Sequence, residues 1–394
     1  MDLRLSESED QLARELRSWL PTVLPAWRDT PPIDDWDARK SFDQRWQRFL
    51  HDAGYAGFSW PQRFGGREAS PIEELVFARE MSISGAPDIG VNFVGLMHAG
   101  PTLMAEGSDE QRARYLPAIL RGEEVWCQGF SEPSAGSDLA ALTTRAVRDG
   151  EDYVITGHKV WSSYAHVADF CEMLVRTDPL APRHGGISWL IVPMDAPGIQ
   201  VRPLRTLTGS TEFCEVFLDG VRVPITNRVG DENDGWRVAM VTLGFERGTA
   251  MIHEYFAATQ LAAVIKTTAI SSGSWDDSVR SEHGLIVAQL DALWALTVRN
   301  VSQAARHRPP GVGGSVFKLR FSEVYQQLGD LGRRVIAGHG LALEDVSDIP
   351  AGTVLHERLY GLCYLIAGGT SQVQRSILAE RALGMPKEPR WTSN

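Results

Sequence analysis

The sequence predicts an α+β protein laid out as helices, then a β unit, then a helical bundle. Three observations predict it. Apolar residues recur at helical spacing up to about residue 122, the period shortens over 123–232, and long helical patterns fill 233–394. In the first zone, "ESEDQLARELRSWL" places Leu12, Leu16, Trp19 and Leu20 on one face. "SPIEELVFAREMS" opens with Ser70 at the N-cap, Pro71 at the first helical position and Glu73 at capping-box spacing. "SDEQRARYLPAILRG" opens the same way at Ser108 and stops at Gly122.

In the second zone, "EDYVITGHKVWSS", "GGISWLIVPMDAPGIQVRPL" and "TEFCEVFLDGVRVP" are rich in β-branched and aromatic residues, broken by Gly, Pro and Asp. No long helix intervenes to carry parallel crossovers, so an antiparallel barrel or sandwich is expected. In the third zone, "GWRVAMVTLGFERGTAMIHEYFAATQLAAVIKTTA" reads as one long helix. Helices over 276–306 and 314–340 follow, then "TVLHERLYGLCYLIA" and "SQVQRSILAERAL", with "ARHRPPGVGG" as a loop. The expected domains are 1–122, 123–232 and 233–394.

The chain has 394 residues, 43% hydrophobic and 23% charged, which is ordinary globular composition. A net charge of −11 argues against a nucleic-acid binder, which needs a basic face. Cys127, Cys171, Cys214 and Cys363 are far apart, so neither a C-x-x-C pair nor a disulfide framework is expected. The histidines are scattered without H-E-x-x-H, and no bound metal is expected. No apolar signal core and no apolar run of about 18 residues occurs, so a cytoplasmic protein with no membrane association is expected.

Common nucleotide signatures fail. "GVGGSV" and "GHGLAL" lack G-x-G-x-x-G spacing, and there is no P-loop and no G-x-S-x-G. Four other stretches carry chemistry. "CQGFSEPSAGSDLAAL" (127–142) packs small hydroxyl and turn residues after a strand, which suits a cofactor-lining loop or an ordinary hairpin loop. "HKVWSSYAHVADF" (158–170) sets Trp161 beside Ser163, a stacking wall next to a hydrogen-bond donor. A core tryptophan would read the same way. "TLGFERGTAM" (242–251) puts Glu246 in a helix with short or apolar residues three and four positions away. It is either at the solvent edge or buried, where a raised pKa suits a general base. "AGGTSQVQR" (367–375) is a glycine turn that offers N–H groups at a helix start, with no acid, histidine or cysteine of its own.

Together these stretches resemble the acyl-CoA dehydrogenase family. "FSEPSAGSD" is similar to its T-E-P-x-A-G-S-D, and "GHKVWSSYAHVADF" to its G-x-K-x-W-I-T-N-x-x-x-A-D. "CEVFLDGVRVPITNRVGDENDGW" and "GGTSQVQRSILAERALGMP" are similar to its F-x-D-V-x-V-P and E-G-T-x-Q-I-Q-R stretches. The four matches fall in family order and span nearly the whole chain. The resemblance implies an N-terminal helical domain, a middle antiparallel β domain and a C-terminal four-helix bundle. It implies FAD as cofactor, an acyl thioester substrate on coenzyme A or a carrier protein, and electron-transfer flavoprotein or an equivalent acceptor. It also implies a homotetramer or homodimer, with heteromers known among bacterial members. The family chemistry is α,β-dehydrogenation to the 2,3-enoyl thioester.

In many members the base is a glutamate just before the G-T of the last motif; here that position is Gly368, which keeps only its N–H for the substrate carbonyl. Other members carry the base on the first long bundle helix, followed by arginine. That position is Glu246, with Arg247 as the supporting arginine. Phe130, Ser131, Trp161 and Ser163 match positions around the flavin ring, Thr370 and Gln372 match FAD contacts, and Ser137 matches a residue near the acyl carrier arm. The chain departs from the pattern in three places. No R-x-x-F-G occurs over 266–284, Arg334 stands where glutamine is usual, and Gly244 stands two residues before the expected base. An oxygen-using flavoprotein on the same fold, or a partner subunit of a heteromeric dehydrogenase, are the alternatives. Oxygen consumption separates the first and bound flavin separates the second.

Overall fold

The computed structural model describes residues 5–32, 34–246, 252–306 and 311–387, with backbone alone at Phe245 and Glu246. In chain order the helices of the first part are α1 (Glu7–Val23), α2 (Trp36–Asp52), α3 (Pro71–Ile83), α4 (Gly100–Glu106) and α5 (Asp109–Leu120). The strands are β1 (Trp126–Gly129), β2 (Arg145–Asp149), β3 (Asp152–Ser163), β4 (Phe170–Arg176), β5 (Ile187–Pro193), β6 (Ile199–Leu204), β7 (Phe213–Pro224) and β8 (Arg228–Val229). Then come α6 (Gly235–Glu246), α7 (Ile252–Ser271), α8 (Asp277–Ala304), α9 (Gly313–Val335), α10 (Ala351–Tyr360) and α11 (Ser371–Arg381). The elements fall into two compact units: Met1–Leu16, Pro71–Ile83 and Met251–Asn394 form one, Arg17–Ser70 and Ser84–Ala250 the other.

The first unit is helical. Ile265 of α7, Leu290 and Leu293 of α8, Phe321 and Leu328 of α9 and Val354 of α10 share one buried core with Leu75 of α3. A helix from the N-terminal third of the chain therefore packs with the bundle. Asp276 caps α8, its carboxylate accepting from the Val279 N–H at 2.8 Å. Two helices stop earlier than their sequence pattern. α9 gives way to a 3-10 turn at Ala337–His339, where Gly338 and Gly340 weaken helical continuation. α10 ends before Gly361, where a Cβ would meet the Tyr325 ring at 2.8 Å, so the missing side chain is what lets the backbone approach α9. The long pattern over 235–269 is helical up to Glu246 and from Ile252 onward. Residues 247–251 between them, with Arg247, lie outside the described residues, as do 307–310 of the expected loop.

The second unit is built on one eight-stranded sheet of order β6-β7-β3-β2-β4-β5-β8, with β1 added to β4. The expectation of purely antiparallel pairing is corrected here. β1 pairs with β4 in parallel, Cys127 opposite Cys171, and β2 meets β4 in parallel at Arg145 and Arg176. The β2–β3 hairpin and its loops carry the chain from β1 across to β4, so no crossover helix is needed. Strands β4 and β5 are buried along nearly their whole length because both faces are covered, and apart from Glu172 and Arg176 of β4 and Ser188 of β5 they are apolar. Leu174, Trp189 and Ile191 join a core with Leu103, Leu116 and Ile119 of the helices, while Met173, Val175 and Val192 join another with Ile155, Cys214 and Val216.

Helix α5 starts as its sequence predicts. Ser108 Oγ accepts from the Gln111 N–H at 3.2 Å, and Gln111 Oε1 accepts from the Ser108 N–H at 3.0 Å. Gln111 does more than cap: its Nε2 donates to the Thr226 carbonyl at 2.8 Å and the Arg228 carbonyl at 2.9 Å, tying the helix start to the chain around β8. Ser108→Ala is expected to cost about 1 kcal/mol, the usual value of an N-cap. Gln111→Leu is expected to cost more, since each buried carbonyl it abandons is worth about 1–3 kcal/mol. Urea midpoints of the two variants check the order; a Gln111→Leu midpoint no lower than that of Ser108→Ala overturns it.

Candidate functional site

At the end of β1 the chain turns through Phe130, Ser131 and Glu132. Phe130 is buried and Ser131 half-buried. The Glu132 backbone closes on Ala135, N–H to carbonyl at 3.1 Å and 3.0 Å in the two directions. The Glu132 side chain is buried and saturated. Its Oε1 accepts from Lys159 Nζ at 2.8 Å and the Thr144 N–H at 2.8 Å. Its Oε2 accepts from the Thr143 N–H at 2.7 Å and Thr143 Oγ1 at 2.8 Å. Burial pushes this carboxyl up, but Lys159 and the surrounding donors outweigh it and hold it at about 2. Lys159 itself has no exposed surface; burial pulls its ammonium down, and Glu132 opposes that pull. A second Lys159 N–H goes to the Phe130 carbonyl at 3.2 Å. Ser137, further along the same loop, is exposed, and its neighbour Asp138 pairs with Arg183.

Lys159 lies on β3, where the register with β7 shifts between Lys159 and Ser162. The bulge puts Trp161 at φ +63° with its side chain 60% exposed. Its ring neighbour is Phe213, edge-on with centroids 6.0 Å apart. The reading of Trp161 as a core tryptophan is thus excluded. A non-glycine residue held there costs on the order of 1–3 kcal/mol, and such strain clusters at binding sites. Ser163, half-buried, closes the strand opposite Phe213. An open indole face with a hydroxyl two residues on fits a flat, hydrogen-bonding ring such as an isoalloxazine.

In the helical unit, Gly368 and Gly369 stand at φ +62° and +90°, the left-handed region that favours glycine. Gln374 Nε2 donates to the Gly368 carbonyl at 2.8 Å, and Lys318 Nζ donates to the Gly369 carbonyl. Thr370 then caps α11, its Oγ1 accepting from the Val373 N–H at 3.2 Å. Ser371 Oγ and Gln374 Oε1 are buried with no hydrogen-bond partner among the described residues. Gln372 is exposed. Left-handed glycines, a helix start and an unpartnered hydroxyl fit a polar or anionic ligand group, as FAD would present.

Glu246 is the last residue of α6. That helix is fixed upstream by Thr242, whose hydroxyl meets the Thr102 hydroxyl at 2.9 Å. Among the described residues, a side chain at Gly244 would meet nothing within 4 Å. Arg334 ion-pairs with Glu282. The sequence reading missed the Lys159–Glu132 pairing. A signal was present, since Glu132 and Lys159 each stand among apolar or small residues within their motif stretches.

Three domain families match in order: "Acyl-CoA dehydrogenase, N-terminal domain" over 6–123, "middle domain" over 127–221 and "C-terminal domain" over 233–383. The chain is 38% identical over 352 residues to acyl-CoA dehydrogenase IpdE1 of Mycobacterium tuberculosis, covering 89% of this chain and 90% of that one. Among solved structures it is similar to the ChsE4–ChsE5 complex from Mycobacterium tuberculosis, at 31% identity and a TM-score of 0.85, covering 98% and 100% of the two chains. It is also similar to the Tcur3481–Tcur3483 steroid ACAD, at 30% identity and a TM-score of 0.83, covering 98% and 100%. Among the described residues no helix is long and apolar enough to cross a membrane.

The buried carboxylate gives an acid-stability prediction. Glu132 is held at about 2 in the folded chain against an ordinary 4.5, so its contribution is complete above about pH 4.5 and is lost as pH falls toward 2. In Lys159→Met the carboxyl loses its main attractive partner and its folded value rises. The fall in unfolding free energy between pH 5 and pH 3 should therefore be shallower in the variant than in the wild type. Urea titrations across that window measure it, and an equal or steeper fall in the variant contradicts the assignment.

Proposed function

The chain belongs to the acyl-CoA dehydrogenase family of oxidoreductases acting on CH–CH groups, and from that premise we propose that it desaturates an acyl-CoA thioester between Cα and Cβ with Glu246 as the base. The observation that carries this reading is the turn at Gly368. Its backbone is left-handed, and it holds no side chain that accepts a proton. A carboxylate must then come from elsewhere, and Glu246 at the end of α6 is the family's other position for it.

The roles follow from the chemistry each group offers. The Glu246 carboxylate takes the α proton, supported by Arg247. The Gly368 N–H donates to the thioester carbonyl, where charge grows as that proton leaves. Trp161 would wall one face of the cofactor ring, and Ser163, Ser131 and the Phe130 backbone would serve its polar edge. Thr370 and Gln372 would hold a more distant part of the cofactor. Ser137 lies along the carrier arm. FAD, when bound, supplies the hydride acceptor for the β hydrogen and passes electrons to an electron-transfer flavoprotein or its equivalent.

The acyl group is proposed to be bulky or branched. Gly368 leaves room beside the reacting carbons, and one similar structure is described as a steroid ACAD. The working form is proposed to be an oligomer, either of this chain or with a related second chain. The two-protein ChsE4–ChsE5 complex supports the second arrangement.

Glu246→Gln keeps size and hydrogen bonding but accepts no proton. Loss of a general base costs about 10²–10⁴-fold, and it should lower kcat as well as kcat/KM because the interaction belongs to the transition state. Anaerobic bleaching of the visible flavin band by a good substrate reads this directly, and bleaching at the wild-type rate means that Glu246 is not the base. FAD content should be unchanged. Kinetics over a series of acyl-CoA esters test the substrate reading: bulky or branched chains should lead, and a clear preference for short straight chains would sink it.

A further inference from the structure

We propose that the buried Lys159–Glu132 ion pair is the positioning device of the flavin seat, holding the turn after β1 and the β3 bulge in binding geometry before any cofactor arrives. This rests on the reading of Phe130, Ser131, Trp161 and Ser163 as ring contacts given above. The connections run one way. Lys159 precedes Trp161 by two residues on β3, and Glu132 follows Ser131 directly. Their 2.8 Å contact therefore joins the two segments through their centres. The Val160 N–H donates to the Ser131 carbonyl at 3.0 Å beside it. Thr143 and Thr144 fix the far side of the carboxylate through two backbone N–H groups.

The bond from Lys159 to the Phe130 carbonyl sets one peptide plane. A trans peptide carries its C=O and the following N–H on opposite sides of one plane. With the Phe130 carbonyl turned toward the buried ammonium, the Ser131 N–H points away from it. The pair thus presents a backbone donor outward while satisfying the acceptor inward. Stability alone is a poor reason for this arrangement, since apolar residues of similar volume often replace a buried ion pair at no loss. Lys159 and Glu132 are positioning residues here, with no reacting atom assigned to them.

The full-length chain tests this with two sets of measurements. In the first, the wild-type apoprotein is followed by hydrogen exchange. The Val160, Thr143 and Thr144 amides should already be protected to the level of the β3–β7 ladder. Free exchange before FAD addition, with protection appearing only afterwards, means that the cofactor builds the seat and overturns the proposal. In the second, Lys159→Met, Glu132→Gln and the double variant are compared by apoprotein Tm, FAD Kd and the shape of the visible flavin band. Each single variant should lower the Tm, and the double variant should recover most of it because no lone buried charge remains. FAD affinity in the double variant should stay weakened by about tenfold or more, about 1.4 kcal/mol, and the band shape should change. A double variant with wild-type Tm, Kd and band shape overturns the positioning role. If the variants do not fold, the exchange result alone decides. A wild-type chain that takes up no FAD overturns the functional reading and this inference with it, whereas one that binds FAD but fails the exchange test sinks the inference alone.

Discussion

An ammonium group with no exposed surface is the constraint on which the β unit turns. Lys159 on β3 is fully buried, where a lone charge would be neutralised or excluded. It is tolerated because Glu132 meets it and because the Phe130 carbonyl takes a further N–H. That requirement reaches beyond the pair. β1 belongs to β4 by backbone pairing, while Lys159 belongs to β3, so the contact ties β3 to the turn that follows a strand it does not neighbour in the sheet. The loop over 130–144 has little freedom left once its carboxylate is occupied on both oxygens.

The helical unit uses a related device at the other end of the chain. Its glycine turn is held by the carbonyls: Gln374 takes the one at 368 and Lys318 the one at 369. In both places a long polar side chain captures a backbone acceptor from the inside. The backbone donors of the same peptides are then left facing the other way. Neither turn depends on a catalytic side chain of its own, which is why a serine-rich loop and a glycine-rich loop can be functional while looking chemically bland.

Much of this was legible in the sequence, and the exceptions have physical causes. The capping box at Ser108 and Gln111 is local chemistry, and it is found as read. The family motifs were legible because each is a short unbroken stretch. The parallel pairing of β1 with β4 was not, because strand partners are chosen by contacts more than forty residues apart in the chain. The packing of Leu75 of α3 against the bundle is non-local in the same way. Helix ends at Val335 and Tyr360 depended on glycine turns and on the close approach at Gly361, which periodicity does not register. Trp161 was ambiguous because an indole is equally at home in a core, and only the bulge decides which way it faces.

That bulge places two demands on one residue. The backbone at 161 wants glycine or asparagine, the residues that enter the left-handed region at least cost. The proposed ring contact wants a broad aromatic wall, which neither of those supplies. Selection for heat resistance alone would therefore drift toward removing the indole, because relief of backbone strain is gained while an exposed side chain is lost at little expense. In a laboratory evolution experiment that rewards stability and ignores turnover, residue 161 is where the two objectives would part.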